Sequence, residues 1–167
     1  MFAKWNWKKI VKELLSSLVL LFVISLIMNY IRKPNVNENI YALVLKDITD
    51  KKIEMNSFKK KPLVVHFWAT WCPTCKLEAS NIEAISKEYN VVSIAVNSGS
   101  DRELLDYMQK HDLSYTVVND KEGVLAKKFD VSAYPTTLIY DKNGKLKFSE
   151  VGYSTTLGLQ ARVELSN

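Results

Sequence analysis

The sequence predicts an α/β domain, a central mixed β-sheet flanked by helices, preceded by a single N-terminal transmembrane helix. Three observations carry this. An apolar run over residues 14–31 precedes everything else. A second, shorter run, Leu63-Val64-Val65-His66-Phe67-Trp68, is rich in β-formers and reads as a strand buried on both faces. Beyond it, segments of helical and strand periodicity alternate to the C-terminus, the order expected of a sheet with helices packed on it.

A chain of 167 residues has room for one ordinary domain and an accessory segment. Its composition, 47% hydrophobic and 25% charged, is that of a globular protein and excludes a disordered or collagen-like chain. The net charge of +5 raises the question of nucleic acid or anionic lipid. Residues 1–33 contain Lys4, Lys8, Lys9, Lys12, Arg32 and Lys33 against the one acid Glu13, which accounts for all of the excess. The remainder carries 17 basic and 17 acidic residues, and this neutrality argues against a nucleic-acid-binding domain.

No charge falls between Leu14 and Ile31, where only Ser16, Ser17, Ser25 and Asn29 interrupt the apolar run. As a helix this stretch covers roughly 27 Å, close to the hydrocarbon thickness of a bilayer. Ile10 and Val11 extend it if Lys12 snorkels, and Trp5, Trp7 and Tyr30 are candidate interfacial aromatics. A cleaved secretory signal competes with this reading, but it wants small residues at its cleavage site, and the run ends Ile27-Met28-Asn29-Tyr30-Ile31-Arg32-Lys33. A buried core helix is opposed by the charged flanks. Four basic residues precede the span and two follow it, so the positive-inside rule favours a cytoplasmic N-terminus. The expected organisation is a cytoplasmic segment 1–13, an anchor 14–31, a linker 32–39 and an outer domain 40–167. A single-pass protein of the bacterial inner (cytoplasmic) membrane follows, with its domain periplasmic or otherwise extracytoplasmic, where two cysteines find a disulfide-permissive compartment.

Within the outer domain, 41–45 and 48–53 read as short strands with turns near Asp47 and Asp50. After the buried strand 63–68, Leu77, Ile82, Ile85 and Tyr89 recur at helical spacing, and 91–96 is the next strand. Asp101 is the expected cap of a second helix running to about 110, 115–118 a strand, and Asp120 the start of a third helix to 129. Strands 136–140 and 145–151 are joined by the turn Asp141-Lys142-Asn143-Gly144, and a last helix covers 155–165.

The chemistry sits between strand and helix, in Trp71-Cys72-Pro73-Thr74-Cys75, the context in which Cys-x-x-Cys reads as a redox motif. A cysteine at a helix N-terminus faces unpaired N–H groups and the positive end of the helix dipole, both of which favour its thiolate. Cys72 is therefore the expected exposed nucleophile and Cys75, one turn on, the resolving thiol. Pro73 suits the first helical position, which needs no donor. A zinc site wants four ligands, commonly two such pairs, whereas the chain has two cysteines and two histidines in all. Haem attachment wants His directly after the second cysteine, where Lys76 stands. A purely structural disulfide across so small a loop stabilises little. Glu78, one turn beyond Cys75, is a candidate for tuning thiol acidity or moving a proton, and reads otherwise as a solvated helix residue.

The stretch Val65-His66-Phe67-Trp68-Ala69-Thr70-Trp71-Cys72-Pro73-Thr74-Cys75-Lys76 resembles the active-site strand and turn of the thioredoxin superfamily, and Ala133-Tyr134-Pro135-Thr136-Thr137 resembles its second signature. The resemblance covers about residues 40–165 and implies the thioredoxin fold. It implies that Pro135 is a cis-proline packed opposite the cysteines, and that Trp71, Tyr134 and Pro135 meet an extended substrate. The anchor, the extra helix and strand at 101–118 and Glu78 are similar to the membrane-tethered group related to TlpA and ResA, which reduces apocytochrome c and other exported thiols. The Trp-Cys-Pro-Thr-Cys run is similar to the cytochrome c maturation thioredoxin CcmG, in which an acidic residue follows the cis-proline where this chain has Thr136. The segments Asn97-Ser98-Gly99-Ser100-Asp101 and 150–159 resemble the suppressor-for-copper-sensitivity group, ScsD. Thioredoxin carries a buried aspartate six residues before its first cysteine, and His66 occupies that position. A neutral imidazole there is a candidate proton relay for Cys75, or simply a core histidine.

The sequence thus leads to a protein-disulfide oxidoreductase with Cys72 attacking, Cys75 resolving and Pro135 shaping the groove. No metal and no diffusible cofactor is implied beyond the Cys72–Cys75 disulfide itself. Exported protein thiols or disulfides and a membrane thiol carrier are the expected partners, in cytochrome c maturation, copper stress or general extracytoplasmic redox balance. A copper-binding chaperone on the same fold, its two thiolates holding Cu(I), is the alternative.

Overall fold

The computed structural model describes residues 7–31, 34, 36 and 39–167, and divides the chain into two units, Met1–Arg32 and Lys33–Asn167. The described residues of the first unit form a helix, α1 (Trp7–Ile31), of 25 residues. Among the described residues no helix is long and apolar enough to cross a membrane. The expected span includes side chains at 25, 26 and 28–31 that lie outside the described residues, as do Trp5 and most of the expected linker 32–39.

The second unit opens with a 3-10 turn, Ile40–Ala42, and a hairpin of β1 (Val44–Lys46) and β2 (Lys52–Glu54). The strands expected at 41–45 and 48–53 are shorter than their apolar runs. The Asp47 carboxylate accepts hydrogen bonds from the N–H of Thr49 and Lys51 and closes the turn early, and Asp50 adopts a left-handed φ of 66°. Then follow β3 (Leu63–Trp68), α2 (Pro73–Ser86), β4 (Asn90–Val96), α3 (Asp101–Lys110), β5 (Thr116–Asp120), α4 (Val124–Lys128), β6 (Thr136–Tyr140), β7 (Leu146–Val151) and α5 (Thr156–Glu164).

The main sheet has the order β5-β4-β3-β6-β7. β3 lies at its centre, parallel to β4 and antiparallel to β6. All six residues of β3 are buried, because the sheet is covered on both sides. Leu63, Val65 and Phe67 join Ile40, Met55, Phe129 and Leu138 in one core, while Val64 and Trp68 join Ile82, Ile85, Leu104 and Leu159 in the other.

Three local expectations are corrected. Ser100, not Asp101, caps α3: its hydroxyl accepts from the Glu103 N–H and the Glu103 carboxylate accepts from the Ser100 N–H, a reciprocal capping box. Asp120 ends β5 instead of starting a helix. α4 begins at Val124 after Gly123 in a left-handed turn, and the buried Asp120 carboxylate reaches forward to accept the Ala126 N–H at 2.8 Å. Leu77 does not belong to the buried face of α2, being 71% exposed; the inward positions are Cys75, Glu78, Ile82 and Ile85.

Candidate active site

The central strand delivers the cysteines. β3 ends at Trp68, the chain turns through Ala69–Trp71, and Cys72 becomes the N-cap of α2 with Pro73 behind it. Cys72 Sγ accepts the Cys75 N–H at 3.2 Å, so the sulfur is hydrogen-bonded to one of the free donors at the helix start. The two cysteines form a disulfide, with their Cα atoms 5.3 Å apart. The expectation of an open Cys72 is corrected: it is 5% exposed and Cys75 2%. Cys72 belongs to the buried cluster that holds Trp68, Ala69 and Cys75, and the Tyr134 carbonyl oxygen lies 3.6 Å from its Sγ.

The Tyr134–Pro135 peptide bond is cis. The Pro135 carbonyl accepts the Gly152 N–H at 2.8 Å, which ties this turn to the β7–α5 connection. The Trp71 ring, 56% exposed, meets the Tyr134 ring edge-on at 5.8 Å. Beside them lies a groove of about 390 Å³ lined by Asn97, Glu122, Ala126, Lys127, Val131 and Tyr134, wide enough for a peptide side chain.

Glu78 is fully buried on the α2 face that carries Cys75, which decides against the solvated-helix reading. One carboxylate oxygen accepts the Ser154 N–H at 2.7 Å, while the other is buried with no hydrogen-bond partner. Burial pushes its pKa up to about 7, against the pull of the Ser154 donor. A buried carboxyl with one orphan oxygen is suited to hold a proton at neutral pH.

His66 is 1% exposed, and burial pushes its pKa down to about 3, so the ring is neutral. Its Nδ1 lies 2.9 Å from the Thr137 hydroxyl, a pair that joins β3 to β6 at opposed positions of the ladder. On the same face, the Trp68 indole N–H donates to the Ser93 hydroxyl at 3.2 Å. His66 thus lies in a satisfied polar row across β4, β3 and β6, opposite Thr137, which stands two residues beyond Pro135.

Sequence reasoning missed the support of the loop before Cys72. The Ser98 hydroxyl accepts the Thr70 N–H at 3.0 Å, and the Asn97 carbonyl accepts the Trp71 indole N–H at 3.1 Å. The available signal was a polar pair directly after an apolar strand. Among the described residues no group of three or more His, Cys, Asp or Glu side chains is placed to hold a metal ion.

The sequence matches the AhpC/TSA family over residues 36–149. It is 34% identical to a thioredoxin-like protein of Haemophilus influenzae over 93% of this chain and 94% of that one. It is 31% identical to the thiol-disulfide oxidoreductase ResA of Bacillus thuringiensis over 68% of each chain. A secreted disulfide oxidoreductase of Mycobacterium tuberculosis superposes with a TM-score of 0.67 at 23% identity, covering 78% of this chain and 99% of that one, a likeness of fold. The fold is the thioredoxin fold, the reacting centre is the Cys72–Cys75 pair itself, and the chain belongs to the AhpC/TSA family as a thiol-disulfide oxidoreductase.

Proposed function

We propose that this oxidoreductase works on exported protein thiols and disulfides from a membrane anchor, exchanging electrons with a membrane thiol carrier. The observation that carries the reading is the Cys72–Cys75 pair at a helix N-terminus beside the Trp71–Tyr134–Pro135 surface. In the reducing direction the Cys72 thiolate attacks one sulfur of a target disulfide and expels the other as a thiolate. A mixed disulfide forms. Cys75 then loses its proton and attacks Cys72 Sγ, releasing the second target thiol and restoring the Cys72–Cys75 disulfide. Two electrons pass to the target, and two protons complete its thiols.

To Glu78 we assign the handling of the Cys75 proton, on the support of a pKa near neutrality and a place one turn along the same helix face. The neutral His66 keeps the polar row across β4, β3 and β6 uncharged. Trp71, Tyr134 and Pro135 receive the substrate backbone and its flanking side chains. The two electrons return from a membrane dithiol partner, whether the pathway serves cytochrome c maturation, copper stress or general redox balance in the bacterial periplasm or its equivalent.

The anchor is read from the uncharged sequence run 14–31, part of whose side chains lie outside the described residues. Its described large apolar side chains from Leu14 to Ile27 are 42–65% exposed, a surface that lipid covers favourably. Sedimentation with membranes after alkaline carbonate washing tests this part, and release into the supernatant counts against it. For the chemistry, Cys72→Ser is expected to abolish reduction of insulin disulfides, and turnover at the wild-type rate in that variant overturns the mechanism.

A further inference from the structure

Asn97 follows β4 directly and holds a left-handed backbone φ of 46°. That conformation costs most residues about 1 kcal/mol or more and is tolerated by Asn through its short polar side chain. Every polar backbone group of the residue is in use. Its N–H donates to the Asp120 carbonyl at 3.1 Å and its side-chain amide donates to the Lys121 carbonyl at 2.7 Å, fastening it to the end of β5 and the segment that follows. Its carbonyl, turned by the left-handed bend, accepts the Trp71 indole N–H. Asn97 therefore both lines the groove beside Tyr134 and holds the Trp71 indole that meets the Tyr134 ring.

We propose that Asn97 is a positioning residue for substrate engagement: by aiming its own carbonyl at Trp71 it fixes the indole against Tyr134, beside the groove that Asn97 and Tyr134 both line. The inference rests on the oxidoreductase reading above. It assigns no part of the sulfur chemistry to Asn97, since the helix start that activates Cys72 is built from α2 alone. An indole without its acceptor swings away from Tyr134. A protein substrate then loses a preformed surface, while a small disulfide that needs no groove reacts as before.

The test is steady-state reduction of two substrates by the full chain, insulin and the small disulfide of 2-mercaptoethanol, with Trp71 fluorescence in a Trp5→Phe/Trp7→Phe/Trp68→Phe background as a structural monitor. Asn97→Val, which disfavours the left-handed turn and lacks the amide, is expected to raise KM for insulin about five- to tenfold, the value of one hydrogen bond, at little change in kcat. Its rate on the small disulfide is expected to follow the wild type. Asn97→Gly regains the turn and the carbonyl and is expected to recover most of the loss. Trp71→Phe is expected to show the same KM defect, with the double variant no worse than Trp71→Phe alone. Equal losses on both substrates in Asn97→Val, or additive losses in the double variant, overturn the proposal. If the wild type fails to turn over insulin, it is the oxidoreductase reading that fails; if the wild type is active, the variants alone decide the role of Asn97.

Discussion

Glu78→Gln is expected to expose a pH dependence of stability that the wild-type protein conceals. Folding holds a proton on Glu78 up to pH about 7, whereas an unfolded chain releases it at the ordinary 4.5; between these values the folded state binds more protons, and stability falls as pH rises. His66 acts with the opposite sign. Its folded pKa of about 3 lies below the ordinary 6.5, so between these values the unfolded state binds more protons and stability rises with pH. Where the two windows overlap, from pH 4.5 to 6.5, each group contributes about 1.4 kcal/mol per pH unit and the two cancel. Glutamine keeps an oxygen for the Ser154 N–H and cannot titrate. Any cost of its buried amide is the same at every pH. These two groups together therefore leave the wild type nearly flat across this window, and Glu78→Gln is expected to gain about 2 kcal/mol relative to it between its ends. The assay is urea unfolding of both oxidised proteins followed by tryptophan fluorescence at half-unit pH steps. Parallel profiles would refute the account of Glu78 as a buried, proton-holding carboxyl.

Further outcomes follow from single contacts. Cys75→Ser is expected to leave Cys72 able to attack but not to be resolved, so that a mixed disulfide with substrate accumulates as a reductant-sensitive band on a non-reducing gel. Gly144→Ala places a Cβ 2.5 Å from the Tyr41 ring at a φ of +79°, and about 3 kcal/mol is expected to be lost in chemical denaturation. A Tyr41→Ala background is expected to relieve the collision but not the backbone term. Ser100→Ala removes one half of the α3 capping box and is expected to cost about 1 kcal/mol with no effect on turnover by the isolated sulfur pair.

The order of strands and helices was legible because each carries a strong period: the unbroken β3 run, the polar turn at 141–144, the alternation of elements between them. The cysteine pair was legible because strand, Pro73 and spacing agree at one place. Less visible was what depends on facing. Leu77 fits the helical count as well as Glu78 does, and only packing against the sheet shows that the acid turns inward and the leucine outward. Asp101 and Asp120 look like helix caps by type, yet Ser100 has the reciprocal partner at Glu103, and Gly123 supplies the left-handed turn before α4. The work of Asn97 is done by its carbonyl, a group every residue has, so no residue type announces it.

The connection from Gly152 to Ser154 touches both sides of the site, Pro135 through the Gly152 N–H and Glu78 through the Ser154 N–H. At the other end of β6, some 17 Å along the strand, Lys142 and Asn143 stand exposed in the hairpin turn. A fluorophore or fused tag grafted at 142–143 therefore reports on the protein without disturbing the sulfurs. The same graft in the Gly152–Ser154 connection would load the proline turn and the buried carboxyl together, which makes that short segment a poor place for a label and a sensitive one for tuning the enzyme.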